Sequence, residues 1–365
     1  MRFIIFGLTV SSSWGNGHAT LWRGLLKALS RRGHTVIFYE RNVPYYANTR
    51  DEWQIPSGVT VRIYDSLDAV KTEVVRELRN HDVALITSYC NDGPAVAELI
   101  LNSNVSLRAF YDLDTPVTLD AVRSGKPVPY LPVQGLSDFD LVLSYTGGNA
   151  LEELQTRLGA RAVVPLYGWV DPETHAPTLA EDRFRSFLSY LGTYAADRQK
   201  ALEELFISSA RERPDDRFLI GGAQYPANFP WTENIYFVRH MPPASHPAFF
   251  CSSRATLNVT RQTMLNYGFC PSGRLFEAAA CGVPLLTDTW EGLETFFTFG
   301  EEILPVHTHE DVLNALSLPD KELFRIASAA RERTLEQHTA EHRAIELESI
   351  CERTFAGASI YSGSH

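Results

Sequence analysis

The stretch that decides the fold runs from Arg2-Phe-Ile-Ile-Phe-Gly-Leu-Thr-Val10 through Ser11-Ser-Ser-Trp-Gly-Asn-Gly17 to His34-Thr-Val-Ile-Phe-Tyr-Glu40. Its first segment is a short apolar run of the kind that parallel sheets bury on both faces. A Ser/Gly-rich loop follows. Leu21, Trp22, Leu25, Leu26 and Leu29 then recur at helical spacing and make one apolar stripe. Arg31 and Arg32 suit the negative end of that helix, and Gly33 suits a left-handed cap. Residues 34–40 read as a second strand. Strand, loop, helix and strand in this order imply a parallel pair joined by a right-handed crossover. The opening run carries a single Arg and no small-residue cleavage site, so it is expected to be a buried strand and not a signal peptide.

The rhythm repeats outward from there. Residues 83–87, 107–111, 141–144 and 162–165 read as strands, with helices at 95–101 and 149–158. Leu166 to Pro177 breaks the pattern, punctuated by Gly168, Pro172 and Pro177, and marks a domain boundary. Strands are expected again at 186–191, 217–220, 235–239, 255–259 and 283–288, with helices at 197–210 and 273–281. Residues 323–351 are strongly helical, with a break expected near 336–339. The pattern predicts an α/β protein of two Rossmann-like, doubly wound domains facing across a cleft. The expected bounds are 1–167 for the first domain and 168–335 for the second, with a helix at 336–357 packing back on the first. The tail Ser362-Gly-Ser-His365 is polar.

Length and composition fit two ordinary globular domains: 365 residues, 44% hydrophobic and 21% charged. The formal charge is 33 − 44 = −11, and such an acidic excess repels phosphate backbones, so nucleic acid is not an expected partner. Cys90, Cys251, Cys270, Cys281 and Cys351 form no CxxC pair and read as buried free thiols in a reducing cytosol. Clustered metal ligands and a long apolar run are both missing from the sequence, so neither a metal site nor a membrane span is expected.

The most informative chemistry lies in Leu257-Asn-Val-Thr-Arg261 and Gly268-Phe-Cys-Pro-Ser-Gly-Arg-Leu-Phe-Glu-Ala-Ala-Ala-Cys-Gly-Val-Pro284. Ser272 can cap a helix that Gly273 opens. The small residues Ala278, Ala279 and Ala280 let that helix pack closely, and Gly282 and Pro284 end it. A helix start offers free N–H groups and a partial positive charge, which suits a pyrophosphate. Arg261 and Arg274 would add charge-assisted hydrogen bonds, and Glu277, one turn in, can accept both hydroxyls of a ribose. The plainer reading makes Ser272 a cap only, Glu277 a solvated helix residue and the two Arg surface groups.

Residues 258–302 resemble the C-terminal domain of the group-1 glycosyltransferases, specifically the spore-maturation-protein CgeB-like branch. The matching pieces are Leu-Asn-Val-Thr-Arg261, Pro271-Ser-Gly-Arg-Leu-Phe-Glu-Ala-Ala-Ala-Cys-Gly282 and Asp288-Thr-Trp-Glu-Gly-Leu-Glu-Thr-Phe-Phe297, followed by Gly300-Glu-Glu302. The connection from Gly168-Trp-Val-Asp171 to Pro177 is similar to the inter-domain linker of these enzymes. The resemblance implies a GT-B fold, a hexosyltransferase-type activity with no required metal, and a nucleotide-diphosphate sugar, a UDP-sugar among the candidates, as co-substrate in place of a cofactor. It also implies that Glu291 and Glu294, after the strand ending at Asp288, reach the donor sugar or its phosphates; the plainer reading is a solvated loop over Phe296 and Phe297. One position departs from the pattern: many members carry two Glu eight positions apart, and Phe269 stands at the first while Glu277 matches the second.

The N-terminal half offers two further constellations. In Trp14-Gly-Asn-Gly-His18 the glycines let a ligand approach the backbone, with Asn16 and Gly17 as acceptor-binding candidates. His18 is a candidate general base or donor contact. The loop is an incomplete dinucleotide fingerprint: Thr20 stands in the place of its third Gly, and Glu40 stands where a ribose ligand would. In Tyr111-Asp-Leu-Asp-Thr-Pro116, Asp112 and Asp114 project to one side of an extended chain, as acceptor ligand and base, or else as caps for the next helix. Tyr89, Asn91 and Asp92 are expected to line an acceptor pocket. Gly192, Thr193, Tyr194 and Arg198 open the second domain and are candidates for the donor phosphates; Gly221, Gly222 and His240 lie where a base would stack. Three readings stay open: a glycosyltransferase, an NAD(P)-type oxidoreductase built on Glu40, and a non-catalytic nucleotide-sugar-binding protein.

Overall fold

The computed structural model describes residues 1–357, so the polar tail Ser362–His365 lies outside the described residues. The chain forms two compact units. One combines Met1–Tyr167 with the stretch that begins at Ala340, and the other is Gly168–Thr339.

The first unit is built on seven parallel strands: β1 (Arg2–Gly7), β2 (Thr35–Arg41), β3 (Val59–Tyr64), β4 (Val83–Thr87), β5 (Leu107–Asp112), β6 (Leu141–Ser144) and β7 (Val163–Pro165). They lie in the order β3-β2-β1-β4-β5-β6-β7. Phe3, Ile4, Ile5 and Phe6 are at most 1% exposed, as expected of a central strand covered on both faces. β1 pairs with β2 through Phe3↔Val36 and Phe6↔Tyr39, and with β4 through Phe3↔Val83. The order reverses between β1 and β4, so the loops after those two strands flank the switch point where open sheets bind ligands. The helix Gly17–Arg31 lays Trp22, Leu25, Leu26 and Leu29 into the core.

The second unit has β8 (Ser186–Leu191), β9 (Phe218–Gly222), β10 (Ile235–Arg239), β11 (Ser253–Asn258), β12 (Leu285–Thr287) and β13 (Leu304–Pro305), all parallel. Their order is β10-β9-β8-β11-β12-β13, the same as the first six strands of the other sheet, with the switch point between β8 and β11. The helix Gly273–Ala280 precedes β12 and buries Leu275, Phe276 and every residue from Glu277 to Ala280.

Several elements go beyond the sequence pattern, among them β3, the helix Leu67–Leu78 after it, the helix Thr115–Arg123, β13 and the helix His309–Leu316. β3 is an edge strand whose Arg62 and Ile63 are exposed, and β13 is two residues long, so neither makes an apolar run. The expected helix at 197–210 is instead a 3-10 turn, two α segments and an intervening π turn, Glu203–Ile207.

The helical C-terminal stretch breaks at His338 and Thr339. Helix Asp320–Gln337 packs on Gly273–Ala280 in the second unit, where Arg331 Nε donates to Ala280 O at 3.1 Å. The second unit therefore extends to Thr339, where sequence reading ends it at 335. The bridge Val170↔Thr339, with Val170 N donating to His338 O at 2.9 Å, closes it. Helix Ala340–Phe355 lies in the first unit against Gly17–Arg31, where Arg32 Nε donates to Glu348 at 2.8 Å and Arg343 Nε to Tyr167 O at 3.0 Å. Among the described residues, no helix is long and apolar enough to cross a membrane.

Candidate functional site

In the first unit, candidate residues gather at the ends of β1, β4 and β5. His18 enters the helix Gly17–Arg31 with its backbone N–H donated to Asn16 Oδ1 at 3.1 Å. Its ring meets Asp114: Nε2 lies 2.8 Å from Oδ2, and both side chains are less than a fifth exposed. Asp114 is the residue before the helix Thr115–Arg123, yet its side chain makes no capping bond. The carboxylate turns to His18 instead, which disposes of the capping alternative. Donation from Nε2 to Asp114 fixes the tautomer and leaves Nδ1 as the basic atom; Nδ1 is buried without a hydrogen-bond partner.

Asp112 lies beneath this pair, fully buried. Its Oδ1 accepts from Asp114 N at 3.1 Å. Desolvation pushes its carboxyl up to about 7, outweighing the hydrogen bond from the Asp114 N–H. An acceptor-binding Asp112 is therefore corrected to a support for the loop that carries Asp114. Tyr89 follows β4 at a φ of +62°, a region sparsely used by aromatic residues. Its ring centroid lies 5.9 Å from that of His18 and 5.0 Å from that of Tyr130. Asp92 is taken up by Arg41 at 2.7 Å and the Tyr64 hydroxyl at 3.0 Å.

Two further expectations change in this unit. Asn16 is buried, and its amide donates to Thr9 O at 3.2 Å and Ser12 O at 3.1 Å while its oxygen caps His18. It shapes the loop from within; Gly17 beside it is exposed. Glu40 is 2% exposed and receives Thr9 Oγ1 at 3.0 Å, Val10 N at 2.6 Å, Ser11 N at 3.0 Å and the Ser11 hydroxyl. A carboxylate committed to four donors of its own loop is not available to a dinucleotide ribose.

In the second unit, the loops after β8 and β11 lie at the switch point. Gly222, at φ +154°, leaves room for the loop after β8: a Cβ there would sit 2.0 Å from Gly192 O. The Tyr225 hydroxyl donates to Gly192 O at 3.1 Å, and the rings of Tyr225 and Tyr194 are 5.6 Å apart. Arg198 Nη1 donates to Thr193 O at 3.2 Å. Arg261 meets Asp197 through Nε at 3.2 Å and is one-third exposed. Asp288, at the end of β12, receives Thr260 N at 2.8 Å and Thr260 Oγ1 at 2.7 Å, binding the two loops together. His240, at φ +51°, donates its N–H to Gly222 O at 2.7 Å.

Ser272 caps the helix Gly273–Ala280, accepting from Arg274 N at 3.3 Å. Arg274 is partly exposed and its Nη1 touches Glu277 Oε2. Glu277 differs from expectation: it is 4% exposed, and Oε2 also faces His246 Nδ1 at 3.7 Å and His175 Nε2 at 3.9 Å. Burial opposes its ionisation, but its partners, the Arg274 guanidinium foremost, hold the carboxyl well below its usual range. A Glu277 that turns both oxygens to a ribose is replaced by one whose Oε2 is bound into the protein. Glu291 and Glu294 are exposed. Phe269, at φ +42°, donates its N–H to Glu291 O at 2.7 Å, and a Cβ on Gly292 would come within 2.3 Å of its ring.

Sequence reasoning missed His175, His246, Asp197 and Thr260. His175 and His246 lie 102 and 31 positions from Glu277 and meet it only in space; Asp197 and Thr260 adjoin candidate residues in sequence, but their partners Arg261 and Asp288 lie 64 and 28 positions away, so no local pattern marks these roles.

Residues 198–349 match the family model described as Glycosyl transferase-like. A search of curated proteins finds no match. Among solved structures, the chain resembles sucrose-phosphate synthase from Thermosynechococcus elongatus, with a TM-score of 0.68 at 13% identity over 98% of this chain and 100% of that one. It also resembles HepE from Anabaena in complex with UDP and glucose (TM-score 0.66, 12% identity, 96% and 99% covered). A third is AviGT4, a glycosyltransferase involved in avilamycin A biosynthesis (0.62, 15%, 98% and 99%). The fold is that of the GT-B glycosyltransferases, and the chain carries a glycosyl-transferase-like domain in its C-terminal half.

Proposed function

We propose that the chain moves a sugar from a nucleotide-diphosphate sugar, held by the Gly168–Thr339 unit, to an acceptor hydroxyl held by the first unit. The observation that carries this reading is the start of the helix Gly273–Ala280, where the Ser272 cap, the partly exposed Arg274 and the buried Glu277 combine inside the matched segment. Helix N–H groups and guanidinium groups suit the diphosphate, whose negative charge grows as the bond to the anomeric carbon breaks. Arg261 is the second cation in this role, and Gly192, Thr193, Tyr194 and Arg198 contribute from the loop after β8.

His18 takes the proton of the acceptor hydroxyl as the new C–O bond forms, with Asp114 orienting the ring and stabilising the imidazolium. Tyr89 and Gly17 line the acceptor side. The two Arg supply positive charge at the leaving group, so the transfer proceeds without a metal, and activity survives EDTA. A hexose is the sugar we infer, with UDP-glucose the first donor to try because HepE is described with UDP and glucose. The motif residues around Arg261, Arg274 and Glu277 support the CgeB-like branch, and five free cysteines suit a reducing cytosol. The engagement of Glu40 with its own loop counts against an NAD(P)-dependent reading.

A thermal-shift screen tests the proposal. UDP-, GDP- or dTDP-sugars are expected to raise the melting temperature in a concentration-dependent way, and CMP-sugars, which carry one phosphate, are not. Indifference to all the diphosphate sugars would overturn it.

A further inference from the structure

His175, His246, Glu277 and Arg274 form a cluster that the transfer reaction does not by itself require. His175 comes from the segment after Gly168, His246 opens the helix His246–Cys251, and the other two lie on Gly273–Ala280. The imidazoles are 1% and 2% exposed. His246 Nε2 lies 3.2 Å from Met241 O, a group that can only accept, so this nitrogen carries the proton and Nδ1 is an acceptor. Nδ1 faces His175 Nε2 at 3.3 Å and Arg274 Nη1 at 3.5 Å. His175 therefore donates from Nε2, and the proton order along the chain of contacts is settled by one backbone carbonyl. Burial pushes both imidazoles down, His175 to about 4. The charged members are then Glu277 and Arg274 alone. The carboxylate is sunk, with its side chain 5% exposed, while the guanidinium it holds is 31% exposed.

The spacing also invites comparison with a metal site. The three donor atoms are 3.3, 3.7 and 3.9 Å apart, near the roughly 3.4 Å ligand edges of a tetrahedral site with zinc bonds of about 2.0–2.1 Å. Arg274 Nη1, however, lies against the same Oε2, so a guanidinium already supplies the positive charge, and a dication beside it would meet unscreened repulsion.

We propose that His175 and His246 are positioning residues for the donor. His175 orients the ring of His246, whose Nδ1 accepts from Arg274 Nη1 together with Glu277 Oε2, and the guanidinium clamped between these two acceptors meets the diphosphate without having to be ordered on binding. This inference rests on the donor reading of the second unit.

The test is a double-mutant cycle read by calorimetry with UDP, GDP and dTDP, and with the monophosphate of whichever base binds. His246→Gln keeps a donor for Met241 O and removes the Nδ1 acceptor, whereas His246→Asn keeps an acceptor facing the cluster. His246→Gln is expected to weaken the diphosphate about tenfold and the monophosphate less than twofold, with His246→Asn recovering most of the loss. Arg274→Ala combined with His246→Gln should be no weaker than Arg274→Ala alone, because the imidazole acts through the guanidinium. Additive losses overturn the inference, as does stoichiometric zinc in the purified protein that disappears in His175→Ala. A wild-type protein that binds none of the three diphosphates refutes the donor reading itself, a result distinct from a cycle that closes additively.

Discussion

In the first unit the loop leaving the first strand is fastened by a side chain: Glu40, near the end of β2, accepts from Thr9, Val10 and Ser11. In the second unit the matching strand, β9, ends in Gly221 and Gly222, and the loop after β8 lies directly on that backbone with no side chain between them. The strand orders correspond, but the place where a mononucleotide-binding sheet takes its ligand is filled in one and bare in the other. The first unit has its polar pair elsewhere, His18 on the helix after β1 and Asp114 after β5. Shared topology thus does not make the two halves alike; the side chain at the end of the second strand separates them.

The largest effect expected is on turnover. His18→Ala and Asp114→Asn should each lower kcat by about 10²–10⁴ while donor affinity stays within twofold. A parallel loss of donor binding would break the comparison, because the first unit would then be handling the nucleotide. Next comes stability: Glu40→Ala strips four donors of their acceptor, at a cost of about 3 kcal/mol, read from urea unfolding. NADH should bind neither that variant nor the wild type; binding by fluorescence titration would show that the loop had been a dinucleotide site. Arg274→Ala should weaken diphosphate binding by about 10–100-fold, the range of a lost charge-assisted hydrogen bond, with Arg274→Lys between it and wild type. Unchanged calorimetric affinity would move the donor away from the helix start.

The smallest effect is a slope. Burial raises the Asp112 carboxyl to about 7 in the folded chain, against roughly 3.9 when unfolded. The folded state therefore binds the extra proton in that window. The contribution of Asp112 to stability is full below about pH 4 and is lost as pH rises to about 7, by at most about 1.4 kcal/mol per pH unit. Asp112→Asn should flatten the dependence of unfolding free energy between pH 5 and 7; an unaltered slope would mean that the carboxyl is ionised in the folded state.

The fold is legible in residues 2–40 because period, loop and cap agree there over one complete crossover. β3 and β13 are not, since an edge strand with Arg62 exposed and a two-residue strand carry too little apolar pattern to separate from loop. His18 and Asp114 each stand out by residue type, but their contact spans 96 positions and is made by the sheet. Glu277 shows the opposite failure. Its place one turn into a helix suggests a ligand, but its Oε2 is taken by Arg274 on the same helix, in a pocket that His175 and His246 close from far along the chain.

The first unit is discontinuous, and that sets an order of assembly. Leu347, Ile350 and Cys351 on the helix Ala340–Phe355 are buried, and this helix packs on Gly17–Arg31. A ribosome releases Gly168–Thr339 as one uninterrupted piece before that helix emerges. The half that is begun first is consequently finished last, and during synthesis the exposed flank of Gly17–Arg31 is where a nascent chain would need chaperone cover.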